Sequence, residues 1–243
     1  MPPTLVKTNS VKKSATVGGS DIEVWFARTS SQEEMQPVID LVNGAKQGIV
    51  FLMFMPGKSP ILDAIVNRQA QDDRLFVKGV VSTLDASEMD TAHVSLVTRG
   101  TKKIHEFKIV QPQGLNGIGK WAAEVSRAQF LSQVGFAIVH SKVIVIDPCG
   151  KKPAVVTGSH NFSISASTKN DENLVIVRGN AALAQAYALN IQSVFDHYNF
   201  RAIAAAMKAQ GRDITGIMKD PKTWQESWFE GDKKNELNFW FGV

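Results

Sequence analysis

The chain has 243 residues, 44% hydrophobic and 21% charged, a balance that excludes collagen-like, disordered and coiled-coil chains. Its longest apolar run, Ile49–Met55, is far short of the roughly twenty residues of a membrane-spanning helix, and a single cysteine, Cys149, excludes an intrachain disulfide or a multi-cysteine metal site. Lys plus Arg number 27 against 23 Asp plus Glu, a formal charge of +4 that suits an anionic substrate.

Residues 1–20 are rich in Thr, Ser, Lys, Pro and Gly and read as a flexible lead-in or linker. Lys7, Lys12 and Lys13 have no apolar segment behind them, so no secretory signal is expected and a cytoplasmic location is the default. Residues 21–243 read as one domain. Asp21–Arg28 alternates as a strand, with Ile22, Val24 and Phe26 on one face. Met35, Val38, Ile39 and Val42 recur at helical spacing. Ser31 and Glu34 have the spacing of a capping box, but Pro37 conflicts with a helix starting there, and a start nearer Met35 removes the conflict.

Ile49–Met55 is an apolar strand, and Ser59-Pro60 opens a helix with an N-cap serine and a proline in the first turn. Leu75–Ser82 follows as a strand parallel to the previous one. This strand–helix–strand order predicts an α/β fold. Residues 92–99 and 104–110 read as strands, and 111–133 as a long loop. Val139–Asp147 is apolar on both faces, as in a central strand. Ala154–Thr157 and Leu174–Val177 are further strands, and Asn180 caps a helix with a stripe of Leu183, Tyr187, Ile191, Val194 and Tyr198. The tail from Trp224 holds Trp228, Phe229, Phe239, Trp240 and Phe241, and reads as a packing element rather than a lipid anchor.

The chemistry concentrates between His140 and Asn173. On a strand, His140, Lys142, Ile144 and Ile146 share one face. An imidazole and an ammonium beside buried aliphatic side chains call for a polar partner, and an anion supplies one. Gly158, Ser159 and Asn161 add a tight turn, a hydroxyl and an amide. Together these donors suit a phosphate group. Asp147 has the opposite parity from His140 and reads as a turn or ion-pair residue. His160 has the opposite parity from Ser159 and Asn161, and reads as their neighbour rather than a substrate contact. No metal-ligand spacing is present, and no cofactor is expected.

The pattern His140-x-Lys142-x4-Asp147, followed by Gly158-Ser159-x-Asn161 and then Glu172, resembles the signature of the phospholipase D superfamily. The gap between Asp147 and Gly158 is a few residues longer than usual, consistent with a turn insertion at Pro148–Lys152. The resemblance extends over residues 22–178 and leaves the tail beyond 200 unexplained. It implies a mixed central β-sheet with helices on both faces, one half-unit of the superfamily fold.

It also implies a metal-independent phosphodiesterase that works through a phosphohistidine intermediate. His140 is then the nucleophile, and Lys142, Ser159 and Asn161 bind the substrate phosphate. Glu172 orients the histidine, while Asp147 and Gly158 are structural members of the motif. Superfamily sites use two such motifs, and this chain holds one. His93, His105 and His197 do not begin a second copy. The site is therefore expected to be completed by a homodimer mate or by a second half in a longer protein. Hydrolysis of phospholipid is the favoured activity. The alternatives are a dimeric nuclease of the same superfamily acting on nucleic acid, and an isolated half that is inactive alone.

Overall fold

The computed structural model describes residues 12–29, 31–54, 56–57, 59–81, 108–110, 139–212 and 223–242. The described strands form one sheet. They are β1 (Lys12–Val17), β2 (Ser20–Phe26), β3 (Gly48–Met53), β4 (Phe76–Val81), β5 (Lys108–Val110), β6 (Val143–Ile146), β7 (Ala154–Gly158) and β8 (Asn173–Arg178). Their order across the sheet is β1-β2-β8-β7-β6-β3-β4-β5. β3, β4 and β5 run parallel, and every other neighbouring pair is antiparallel. The sheet is mixed because β3 and β4 are joined by a helical crossover, whereas β6, β7 and β8 follow one another in the chain as antiparallel neighbours.

The described α-helices are α1 (Gln36–Gly44), α2 (Pro60–Gln71), α3 (Ile164–Thr168), α4 (Ala181–Ala209) and α5 (Gly231–Phe241). Side-chain alternation along the central strands sorts the core into two layers. Ile49, Phe51, Met53, Ile144 and Ile146 pack with Met35, Val38 and Val42 near α1 and with Ile61, Leu62 and Ile65 of α2. Val50, Leu52, Val143 and Val145 face the other way, toward Ala184, Ala188, Ile191 and Phe195 of α4 and Phe239 of α5. The expected α/β fold with helices on both faces is therefore present.

Several local expectations hold. Ser59 Oγ accepts the Leu62 amide at 3.1 Å, and Asn180 Oδ1 accepts the Leu183 amide at 3.0 Å, so both helices have their side-chain caps. β3 and β4 are parallel in register from Gly48↔Phe76 to Met53↔Val81. Three expectations need correction. Residues 12–20 are not a lead-in: β1 pairs with β2 through a hairpin whose Gly18 and Gly19 both have positive φ, which glycine adopts without steric cost. The Ser31–Glu34 capping box does not form. α1 begins after Met35 with no side-chain cap, Ser31 Oγ donates to Glu33, and Glu34 is buried among other partners. The strand expected over Val139–Asp147 is shorter, Val143–Ile146, so His140 and Lys142 precede it. The expectations for residues 92–107, 111–133, His93 and His105 lie outside the described residues.

The tail packs partly as expected. Phe239 is buried against Phe76, with ring centroids 4.8 Å apart. It sits over Gly48, where a Cβ would collide with the Phe239 ring and the Phe76 carbonyl. Lys78 on β4 reaches Glu236 of α5 at 2.5 Å, a largely buried ion pair that fixes the helix on the sheet. Trp224, Phe229 and Phe241 remain exposed. No helix among the described residues is long and apolar enough to cross a membrane.

Candidate active site

An open cavity of about 530 Å³ lies where β7 ends and β6 and β8 begin. Its wall includes His140, Lys142, Ser159, Asn161 and Glu172, together with Gly158. Residues separated in the chain meet there because β6, β7 and β8 are adjacent antiparallel strands. Ser141, Val143 and Thr157, with Tyr187 and Asn190 of α4, complete the lining. These five were not among the expected site residues. Tyr187 was legible only as part of the helix stripe, and the others carry no motif signal.

His140 is exposed, and its ring meets Phe54 edge-on at 4.4 Å. Partial burial, and then the charge of Lys142, hold its pKa below the ordinary histidine value. The ring is therefore neutral at neutral pH and carries a free lone pair. Lys142 is buried: its Nζ donates to the His140 carbonyl at 2.7 Å and stands 4.7 Å from the Phe54 ring centroid. Burial pushes its pKa down, and the Glu172 carboxylate opposes that effect. Glu172 thus acts electrostatically on Lys142, and its Oε1 accepts from Asn170 Nδ2 at 3.2 Å. Among the described residues no hydrogen bond joins Glu172 to His140.

The turn after β7 is built around Asn173. Gly158 has φ near +136°, and a Cβ there would overlap the Asn173 carbonyl, so the position requires glycine. The Ser159 amide donates to the Asn173 carbonyl at 3.1 Å, and Ser159 Oγ accepts the Asn173 amide at 3.0 Å. That leaves the Ser159 hydroxyl proton for the cavity. Asn161 Oδ1 is buried and has no hydrogen-bond partner among the described residues.

Asp147 lies at the other end of β6 from His140, outside the cavity. Its carboxylate accepts three backbone amides: Lys46 at 2.9 Å, Gln47 at 2.7 Å and Gly48 at 3.0 Å. It therefore closes the turn between α1 and β3 and takes the left-handed backbone, φ near +47°. His160 is fully buried, its ring turned toward Glu34, Ser167 and the Phe162 amide. His197 is exposed on α4. Cys149 is half-buried, and burial pushes its thiol pKa up, away from reactivity. Among the described residues no group of three or more His, Cys, Asp or Glu is placed to hold a metal ion.

Comparison with known proteins identifies the family. The family described as "Cardiolipin synthase, PLD-like domain" matches residues 38–195. A phospholipase D from Rickettsia prowazekii is 43% identical over 53 residues, a stretch that spans 22% of this chain and 23% of that relative. A phospholipase D from Rickettsia conorii is likewise 43% identical over 53 residues, spanning 24% of that relative. Among solved structures, Nuc from Salmonella typhimurium, a phospholipase D family member, has a TM-score of 0.50 at 21% identity. The similarity covers 72% of this chain and 93% of that one. NucT from Helicobacter pylori has a TM-score of 0.54 at 15% identity, covering 74% of this chain and 97% of that one. Identities this low carry the fold alone, and the fold is the one the motif implies. Since the family match takes in most of the chain, including the cavity-lining residues from His140 to Asn190, the chain belongs to the phospholipase D-like family.

Proposed function

We propose that the chain is a phosphodiesterase whose nucleophile is His140, with phospholipid the favoured substrate. The observation that carries this reading is the gathering of His140, Lys142, Ser159, Asn161 and Glu172 on the wall of one open cavity. The Rickettsia phospholipase D relatives support the choice of phospholipid.

In this mechanism the neutral imidazole of His140 attacks phosphorus. A P–N bond forms, the P–O bond to the leaving alcohol breaks, and a second imidazole gives that oxygen a proton. The same imidazole then takes a proton from water, whose oxygen attacks phosphorus and releases His140. Lys142, Asn161 and Ser159 hold the non-bridging oxygens, where negative charge shifts during both displacements. Glu172 is the carboxylate available on the cavity wall to orient an imidazole. No step requires a metal ion.

His140 is the only histidine on the described cavity wall, so the acid must come from elsewhere. A second copy of this chain across a twofold axis supplies it most simply, because one operation brings two copies of His140 to a shared site.

The test is turnover of phosphatidylcholine vesicles and of single-stranded DNA by wild type and His140→Asn, with sedimentation at several concentrations. A dimer that releases phosphatidate in a His140-dependent manner is expected. DNA cleavage without lipid turnover overturns the substrate choice. An inactive monomer overturns the homodimer in favour of a missing second half. Activity that survives His140→Asn overturns the mechanism.

A further inference from the structure

His160 stands between two residues of the phosphate cavity, Ser159 and Asn161, yet its ring points into the core and is 1% exposed. Three contacts hold it. Nδ1 accepts the Phe162 amide at 2.9 Å, Nε2 lies 3.2 Å from Ser167 Oγ, and Nε2 lies 3.4 Å from Glu34 Oε1. The first contact requires an Nδ1 without a proton, because the Phe162 amide can only donate. The second and third then require the proton on Nε2. The Ser167 hydroxyl has one proton, which goes to the Ser163 carbonyl or to Glu34, so it meets Nε2 with a lone pair.

Glu34 is itself completely buried and also receives the Thr29 hydroxyl. Burial pushes the Glu34 carboxyl up, but hydrogen bonds from His160, Ser167 and Thr29 outweigh it and bring its pKa down to about 2. It is a carboxylate at any working pH, and its Oε1, which has no hydrogen bond of ordinary geometry among the described residues, lies 3.4 Å from His160 Nε2.

The Nδ1 contact has a consequence for the cavity. A side-chain acceptor on one residue that takes the amide two residues on closes a tight turn, as the side-chain oxygen of an asparagine does in an Asx-turn. Here the residue at the apex is Asn161. Its neighbours on both sides are fixed: the His160 amide donates to the Asn173 carbonyl at 3.1 Å, and Phe162 is fully buried. Phe162 also takes a φ of +58°, which a bulky residue adopts only under constraint.

We propose that Glu34 and His160 are positioning residues for Asn161. Glu34 holds the His160 proton on Nε2, Nδ1 is thereby left to hold the Phe162 amide, and the resulting turn aims the Asn161 side chain at the bound phosphate. Neither residue touches substrate. The proposal rests on the reading of the cavity as a phosphodiester site, and its test has one part that does not depend on that reading.

The test compares two replacements of His160. Asparagine places an acceptor where Nδ1 lies and keeps the turn. Glutamine is nearer to histidine in size but places its amide where Nε2 lies and loses the turn. We expect His160→Asn to keep kcat within about threefold, and His160→Gln to lower it by about 10- to 100-fold with KM little changed, as for a misaimed transition-state contact. Glu34→Gln, which keeps an acceptor for Nε2–H, should behave like His160→Asn, and Glu34→Leu like His160→Gln. The opposite ranking, with glutamine better than asparagine at 160, means that His160 only fills space and overturns the proposal.

The activity-independent part uses the wild-type protein. Its ¹⁵N ring shifts should place the His160 proton on Nε2, and the Phe162 amide should be protected from hydrogen exchange. A proton on Nδ1, or a rapidly exchanging Phe162 amide, overturns the proposal even if every variant is too unstable to assay. Wild-type protein that shows the tautomer and the protection but turns over no phosphodiester refutes the functional reading and leaves the clamp standing.

Discussion

At one end of β6, His140 is exposed, Lys142 reaches along its backbone, and their remaining donors face an open cavity. At the other end, four residues of strand later, the Asp147 carboxylate is 7% exposed and saturated by three backbone amides. Both ends belong to one short motif. The difference between them is where the hydrogen-bonding capacity goes. Asp147 uses its capacity inside the protein and fastens the α1–β3 turn to the strand. His140 has no protein hydrogen bond to its ring among those described, and Lys142 has ammonium protons beyond the one given to the His140 carbonyl. Polar groups that are satisfied internally hold a fold together, whereas groups left with spare capacity in a cavity are available to a ligand.

The largest expected effect breaks the open end. His140→Asn should lower turnover by more than 100-fold with the circular dichroism spectrum and Tm nearly unchanged, because the loss of a nucleophile typically costs at least that much. Lys142→Ala should fall almost as far. A His140→Asn protein with more than about a hundredth of wild-type activity would remove this end of β6 from the mechanism.

Next comes the closed end. Asp147→Ala leaves three amides of the α1–β3 turn unpaired and should destabilise the protein by about 4 kcal/mol in urea unfolding, given about 1–3 kcal/mol for each lost charge-assisted bond and partial rescue by water. Activity per folded molecule should stay within about threefold. A stable but inactive Asp147→Ala protein would contradict the division between the two ends.

Glu34 offers a second carboxylate against which to sharpen the contrast, since side chains, more than backbone amides, satisfy it. Its folded pKa lies near 2 against an ordinary 4.5. The stabilisation is therefore fully present above pH 4.5 and is lost as pH falls toward 2, about 3 kcal/mol in all. Glu34→Gln should flatten the stability–pH curve in that window, and an unchanged curve would mean that the carboxylate is not held as described.

A smaller effect concerns the His140 proton. Its lowered pKa keeps the attacking imidazole neutral below the ordinary value of about 6.5, so the acid limb of kcat/KM should lie below that pH. In Lys142→Ala the NMR titration of His140 should move up part of the way, because burial, the larger cause, remains. A downward shift would reverse the assigned sign. The smallest expected effect is none: EDTA should leave activity unchanged. Inhibition reversed by a divalent cation would require a ligand set outside the groups described here.

Much of the fold was legible because its signals are local. The Ser59 and Asn180 caps, the two-sided apolar runs of β3 and β6, and the β3–α2–β4 crossover each depend on residues close in the chain. β1 was not legible: Lys12–Val17 is exposed along its length, so no apolar alternation marks it, and it exists as a strand by pairing with β2. The Ser31–Glu34 capping box failed for a different reason. A glutamate at that spacing suits a helix start, but burial beside His160 and Thr29 offered Glu34 a better set of donors.

The sequence by itself determined which polar groups line the cavity. The order His140, Lys142, Ser159, Asn161, Glu172 names four polar or basic groups and one carboxylate, and antiparallel neighbours β6, β7 and β8 bring them together. Only the tertiary structure decided which partners those residues and their neighbours have. The three amides that Asp147 accepts come from about 100 residues upstream. The Glu34 carboxylate that meets His160 comes from the start of α1, and Tyr187 and Asn190 reach the cavity from α4. A short-range pattern encodes residue type and spacing, but a partner distant in the chain is chosen only when burial removes water and each remaining polar group must find a protein group to bond.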